Sequence, residues 1–272
     1  LLSFGKKAIK EAIKIEEFKA IDKEEVLEIR LGQKKGYTEI IHKIDTRVKD
    51  SKEIKYWLEG GEKSYSYSIL QNLDLSGGNY QGITCHNSDF SGSDLSNSNF
   101  EGASLIESVF VKSIIKGVNF RKSKLPESDF HDTIIEDSNF EESRLIDSDF
   151  RNSKITECKF INARCHDADF SNCTLKNNVL NNVKFGGVNF ENSDLTDNDF
   201  KGSSFIYTNL KGANLSNSDL TEAEFTGVDF TQFKFDNSVF KDIKVKKVKI
   251  YAKDVHRLNL SEEQRKELTI VG

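Results

Sequence analysis

The chain has 272 residues, of which 31% are charged, a formal charge of −5 and a mean hydropathy of −0.54. No apolar run is long enough to span a bilayer and no signal-peptide pattern opens the chain, which excludes a helical membrane protein and makes the cytoplasm the expected location. The sequence opens on Leu1 and contains no Met, so a start upstream of Leu1, and with it a targeting segment or use as a secreted effector, stays open.

Three segments differ in composition: 1–63, 64–250 and 251–272. In the first, residues 6–20 place Ala8, Ile9, Ala12, Ile13 and Ile15 at helical spacing among Lys and Glu, the pattern of an amphipathic helix. Asp22 with Glu25 three residues later has the form of a capping box opening a short helix. Alternatively Leu27, Ile29 and Leu31 alternate with Glu28 and Arg30 as a strand, with 32–36 as a hairpin loop leading to a return strand at 37–41. Of the two the hairpin is preferred. Residues 45–58 read as a helix carrying Val48, Ile54, Trp57 and Leu58, stopped by Gly60 and Gly61. This segment is expected to cap the rod described next, because an open solenoid end exposes unpaired backbone groups. A small interaction domain is the other reading.

From Leu75 to Val245 every fifth residue is apolar, through 35 consecutive pentads (Leu75, Tyr80, Cys85, Phe90, Leu95, Phe100 and onward). The residue two before each centre is small in most pentads (Ser88, Ala103, Ser128, Ala163), and the residue two after is usually Gly, Asn, Asp or Glu (Gly92, Asn97, Asp137, Asn152). Neither the helical nor the strand period produces a spacing of five. A repeat does: a coil that turns a corner every five residues, with the centre and the small residue facing inward. Gly and Asn suit such a corner because they tolerate backbone angles that β-branched residues resist.

Runs such as Ala213-Asn214-Leu215-Ser216-Asn217 and Ser218-Asp219-Leu220-Thr221-Glu222 resemble the A(D/N)LXX motif of the pentapeptide repeat family. The resemblance implies a mainly β fold: a right-handed, four-sided parallel β-helix with one pentad per side and 20 residues per coil. It also implies a terminal helix covering the rod end, which in many members mediates dimer formation. The sequence supports four sides independently. Sorted at a period of 20, the centres give one column of Leu75, Leu95, Ile115, Ile135 and Ile155 and another of Phe90, Phe110, Phe130, Phe150 and Phe170. Two opposed sides then supply aromatic ladders and two supply mostly aliphatic ones, in a rod of roughly 40 Å with no room inside for a ligand. Cys85 and Cys165 occupy centres, and Cys158 and Cys173 the small position, so all four are expected as inert core thiols. Asn178 and Asn198, also at the small position one coil apart, are expected to form an inward amide ladder. Phe233 puts a large ring at a small position and is expected to distort its coil; Gly186 and Gly187 are expected to loosen a corner.

Beyond the pentads, residues 244–250 read as a last coil whose edge is protected by lysines. Ser261 caps a helix over 262–268, with Gln264 completing a capping box. Leu258, Leu260, Leu268, Ile270 and Val271 offer apolar surface for a homodimer through this terminal cap.

Chemistry has to be sought on the outside. On the side centred on Cys85 and Leu105, the residue before the centre runs Lys124, Arg144, Arg164, Lys184, and the residue after runs Ile106, Pro126, Ile146, His166. On the next side the column before the centre is Asp129, Asp149, Asp169. Like charges stacked at about 4.8 Å repel, so these ladders need an opposite column or a partner. Cross-corner salt bridges between the two columns are one reading and a partner-binding strip the other. No nucleophile elbow, phosphate-cradling loop or metal-ligand spacing among the histidines points to catalysis, a cofactor or a metal.

Two functions follow. The first is a non-enzymatic structural or protein-interaction module with an unidentified protein partner. The second is suggested by family members whose acidic rods imitate DNA and bind type II topoisomerases such as DNA gyrase. Residues 71–245 carry 17 basic against 27 acidic side chains, a balance of −10 that agrees with mimicry. The Lys124-to-Lys184 stripe, the lack of a projecting loop and the N-terminal extension argue against it. Direct nucleic-acid binding is disfavoured, because the basic residues are few and interspersed with acids.

Overall fold

Spacing of five becomes a closed coil because of what the backbone does at the corners. The computed structural model describes residues 27–29, 41–43, 51–59 and 64–272. The residue two after each centre lies in the left-handed region, with φ between 52° and 72° from Tyr67 to Lys247; Gln232 alone among these departs. Gly fills some corners, but so do Asn, Asp, Glu and Lys, as at Asn97, Asp147, Glu127 and Lys122. Most corner N–H groups are held by the next coil, as in Gly77 N–H to Ser96 O at 2.7 Å and Glu107 N–H to Pro126 O at 2.9 Å.

Between corners each side is a short extended segment paired in parallel with the residue 20 positions on. Four pentads therefore make one turn, and about eight turns make a four-sided parallel β-helix. We number the sides by their centres: side 1 begins at Leu75, side 2 at Tyr80, side 3 at Cys85 and side 4 at Phe90. Elements β1 (Leu27–Ile29) and β2 (Ile41–Lys43) precede the rod. Side 1 holds β3 (Ile114–Lys116), β4 (Ile134–Glu136), β5 (Lys154–Thr156) and β6 (Thr174–Lys176), paired in that order. Side 3 holds β7 (Ser204–Ile206), β8 (Glu224–Thr226) and β9 (Lys244–Lys246).

The motif's Asp or Asn has a local task. Its Oδ1 accepts the backbone N–H two residues on, as from Ser96 to Asp94 at 2.8 Å and from Arg121 to Asn119 at 3.1 Å. This Asx turn satisfies an amide that points away from the neighbouring coil. Where Lys124 precedes the centre no such acceptor exists, and there the chain places Pro126, its one proline, which has no N–H to satisfy. The small inward residue follows the same logic. Ser98 Oγ donates to Leu95 O at 2.6 Å and Ser108 Oγ to Cys85 O at 2.5 Å, and among the described residues no buried side-chain N or O lacks a partner.

The core is two facing aromatic ladders. On side 4 the rings from Phe90 to Phe170 stack at 4.6–5.0 Å, and on side 2 those from Phe100 to Phe160 stack at 4.8–5.4 Å. The ladders meet edge to face across the interior at 6.0–6.3 Å, the geometry that ring quadrupoles favour. Side 3 then takes over the aromatic role, with Phe185, Phe205 and Phe225 stacked at 5.1 and 5.0 Å. Asn178 and Asn198 form the expected buried ladder, Nδ2 to Oδ1 at 3.2 Å.

At Phe233 the coil departs as expected. Residues Phe230–Gln232 form a 3-10 turn in place of the corner, and Gly212 N–H bonds Gln232 O where the rod's register would supply Thr231. Phe233 stays buried against Phe230 at 4.9 Å. Gly187, by contrast, holds φ at 69° like other corners. Gly186 is confined beneath His166, whose Nδ1 lies 2.6 Å from where a Cβ would stand.

At the N-terminal end β1 pairs antiparallel with β2, Leu27 opposite Lys43. Of the return strand expected at 37–41, Ile41 lies in β2, and residues 37–40 lie outside the described residues. The helix read over 45–58 is described as Ser51–Glu59. Its Ile54 and Leu58 are buried with the rod core, Lys55 donates to Ser76 O, and Glu59 Oε1 accepts Asn79 N–H at 3.0 Å. The helix read at 6–20 and the Asp22 capping box lie outside the described residues.

At the other end β10 (Val248–Tyr251) follows the last corner, and a 3-10 helix (Ala252–Leu258) buries Leu258 completely. The Ser261 capping box forms, Ser261 N–H to Gln264 Oε1 at 3.0 Å and Gln264 N–H to Ser261 Oγ at 3.3 Å. The helix expected over 262–268 stops at Arg265, however. Leu268 opens β11 (Leu268–Val271), which pairs in parallel with β10, Ile250 opposite Ile270. The run Thr269, Ile270, Val271 is β-branched, and pairing at the rod's own 20-residue register favours strand over helix there. The segment is therefore covered from Val248 on, while β9 keeps the edge of its own sheet.

Two substitutions test this architecture. Phe130→Ala, in the centre of the side 4 ladder, is expected to destabilise by about 3–5 kcal/mol in chemical denaturation. At the Glu222 corner, where φ is 59°, Glu222→Gly should stabilise by up to about 1 kcal/mol and Glu222→Val should destabilise by about 1–2 kcal/mol.

Candidate functional site

Because partners stand 20 residues apart, any residue type repeated at that period becomes a line along the rod. Lys124, Arg144, Arg164 and Lys184 are bridged to one another in sequence on side 3 and all four are exposed. Among the described residues no carboxylate lies within 4.0 Å of any of them. At the dielectric of water, unit charges at about 4.8 Å cost about 0.9 kcal/mol per neighbouring pair, a modest repulsion that long side chains relieve by splaying. Just across the centre, Ile106, Pro126, Ile146 and His166 form a half-buried column. At the following corner stand Glu107, Glu127, Asp147 and Asp167, exposed and likewise without an ion pair among the described residues. Side 3 thus carries a cationic line, a mostly apolar line and an anionic line in parallel.

The acidic column of side 4 is different. Asp129, Asp149 and Asp169 each accept the amide two residues on, from His131 at 3.0 Å, Arg151 at 3.0 Å and Ser171 at 2.9 Å. Arg151 Nε reaches both oxygens of Asp149 at 2.9 Å, His131 Nδ1 lies 2.5 Å from Asp129 Oδ1, and Asn189 Nδ2 donates to Asp169 Oδ1 at 3.1 Å. The expected cross-corner bridges are therefore not made: side 4 satisfies its acids internally, and the structure brings no basic residue of the stripe into an ion pair with them. Burial opposes ionisation of Asp149, but the Arg151 guanidinium and amide outweigh it and hold the carboxyl below its ordinary range.

The 20-residue register also gathers a group that sequence spacing hides. Asp129, His131 and Asp149 each offer a ligand atom within 4.8 Å of the others. No metal-ligand spacing among the histidines was expected, and these residues meet only because Asp129 and Asp149 are coil neighbours. Their oxygens are already engaged by His131, Arg151 and backbone amides. The four cysteines are buried and unpaired with one another; burial pushes their thiols up, Cys158 and Cys173 to about 12. On side 1, Ile114 and Ile134 stack in the open beside Lys116 and Glu136, an apolar spot not anticipated from the sequence.

A family model described as "Pentapeptide repeat region" matches residues 83–160 and 178–255, and one described as "Pentapeptide repeats (8 copies)" matches residues 158–197. No curated protein matches the chain. Among solved structures, HetL, a pentapeptide repeat protein involved in heterocyst differentiation regulation from the cyanobacterium Nostoc sp. strain PCC 7120, is similar. It is 16% identical over 74% of this chain and 96% of its own, with a TM-score of 0.34. QnrB1, a plasmid-mediated fluoroquinolone resistance protein, is 17% identical over 70% of this chain and 92% of its own, TM-score 0.34. Rfr23 from the cyanobacterium Cyanothece 51142 is 27% identical over 34% and 60%, TM-score 0.28. Among the described residues no helix is long and apolar enough to cross a membrane.

Asp149 supplies a pH test with a definite sign. Its folded pKa is depressed, so its contribution to stability is present above the unfolded value of 3.8 and is lost as pH falls through the lower folded value. Arg151→Ala should move the Asp149 midpoint upward in an NMR titration; an unchanged midpoint would remove Arg151 as a cause. The thiols should resist a water-soluble thiol reagent at neutral pH in the folded protein and react fully once it is denatured.

Proposed function

The chain belongs to the pentapeptide repeat family, and from that premise we propose that it is a non-enzymatic protein-interaction module, with the rod as a rigid mount and side 3 as its docking surface. The supporting observation is the line Lys124, Arg144, Arg164, Lys184, exposed and without an internal counter-charge among the described residues. Beside it, Ile106 and Ile146 give a partner apolar ground to cover. Stacked rings and aliphatic side chains fill the interior, so recognition falls to the outer columns, where the rod holds them at fixed spacing at little entropic cost. Asp129, Asp149 and Asp169 serve the rod more than a partner, since their oxygens are already bonded.

The balance of −10 over residues 71–245 favours a second reading, a DNA mimic that engages a type II topoisomerase. The two readings divide on one variant. Affinity capture from a bacterial lysate with the full chain and with Arg144→Gln/Arg164→Gln should yield a partner protein that the variant loses by tenfold or more, with gyrase supercoiling untouched by either. Inhibition of supercoiling by both proteins alike would establish the mimic and overturn the docking role of the stripe.

A further inference from the structure

Side 3 is self-complementary. The cationic line precedes the centre by one residue and the anionic line follows it by two, so they run parallel along the rod roughly 8–10 Å apart. Lys124 and Glu127 share a coil, as do Arg144 and Asp147, and Arg164 and Asp167. Turning a second copy about a two-fold axis parallel to the rod, and laying its side 3 on the first, exchanges left for right and keeps height. In three coils each cation then faces an acid at its own level: Lys124 opposite Glu127 of the second copy, Arg144 opposite Asp147, Arg164 opposite Asp167, and the reverse, while Lys184 faces Gly187 and Glu107 faces Ser104. Pro126 and Ile146 meet the aliphatic stems of the opposing Lys124 and Arg144. A two-fold axis along the strands would instead set cation on cation.

Resting on the reading of side 3 as a docking surface, we propose that its partner is a second copy of this chain, docked side by side with rods parallel. Both charge lines are exposed, both lack ion pairs among the described residues, and each has the spacing of the other because the same coil stack sets both. A polyanion such as nucleic acid fits less well, since the acidic line would lie alongside it and repel it. The matched region spans three coils, less than a standard interface of about 800 Å² per partner, and Lys244, Lys246 and Lys247 on the same side oppose their own copies. The dimer is accordingly weak and salt-sensitive.

The test is sedimentation of the full chain and two charge-reversal variants. Glu224 already occupies the column of Arg144, and Lys247 the corner column of Asp147 with φ at 52°, so both reversals suit the backbone. Wild type should associate at about 20 mM salt, with its association constant falling at least tenfold by about 500 mM. Arg144→Glu/Arg164→Glu alone, and Asp147→Lys/Asp167→Lys alone, should each be monomeric. Mixed in equal amounts they should pair. A wild type monomeric at low salt, or folded variants that still self-associate or fail to pair when mixed, would overturn the proposal. A monomeric wild type that still captures a foreign protein through Arg144 and Arg164 would overturn the dimer while leaving the docking role of side 3 intact.

Discussion

Everything in this rod depends on the left-handed corner that recurs at every fifth residue. Holding a non-glycine residue there costs about 1–2 kcal/mol, and the chain does so with Glu, Lys, Asp and Asn along most of its length. Two interactions offset that cost at most corners. The corner N–H bonds the next coil, and the turn lets both the centre and the small residue two before it face inward, where rings and aliphatic chains are removed from water. Gln232 shows what happens without the corner. The backbone tightens into a 3-10 turn, the hydrogen-bond register shifts by one residue, and an extra phenylalanine is packed where a serine would have sat.

The pentad spacing made the coil, its four sides and its aromatic ladders legible, because inward positions admit few residue types and each repeats at a period of 20. The amide ladder of Asn178 and Asn198 and the distortion at Phe233 could be read for the same reason: each breaks a rule the neighbours keep. The outer surface was less legible. Asp149 looks like a free acid in the sequence, yet its carboxylate caps the Arg151 amide and is gripped by the Arg151 side chain. Which acids are spent in this way follows from whether they precede the centre or stand at the corner, and only the folded coil displays that difference. Glu107, Glu127, Asp147 and Asp167 were overlooked because they appear as corner residues; sorting the corners at a period of 20 would have revealed the line. Leu268 was misplaced because a capping box announces where a helix starts and says little about where it ends.

A solenoid converts sequence periodicity into linear surface features, and side 3 is where that conversion leaves charge uncompensated. On the other sides Arg121 gathers Glu101, Glu141 and Glu142, Lys201 joins Asp199 and Asp219, and Lys176 meets Asp194. Such exposed pairs contribute little to stability, but they engage charges of a kind that on side 3 stay without an ion pair among the described residues. Side 3 has the opposite character, since its cations and acids sit too far apart across one pentad to satisfy each other and lie in lines that a surface of matching repeat would complete.

Site-specific photo-crosslinking in the expressing cell tests most directly whether side 3 is the working surface. A photoreactive phenylalanine analogue replaces Ile146 on side 3 or, as the comparison, Asn139 on side 2. The account predicts discrete crosslinked products from position 146, to a second copy or to another protein, and none from position 139. Equal labelling from both positions, or products from 139 alone, would contradict it.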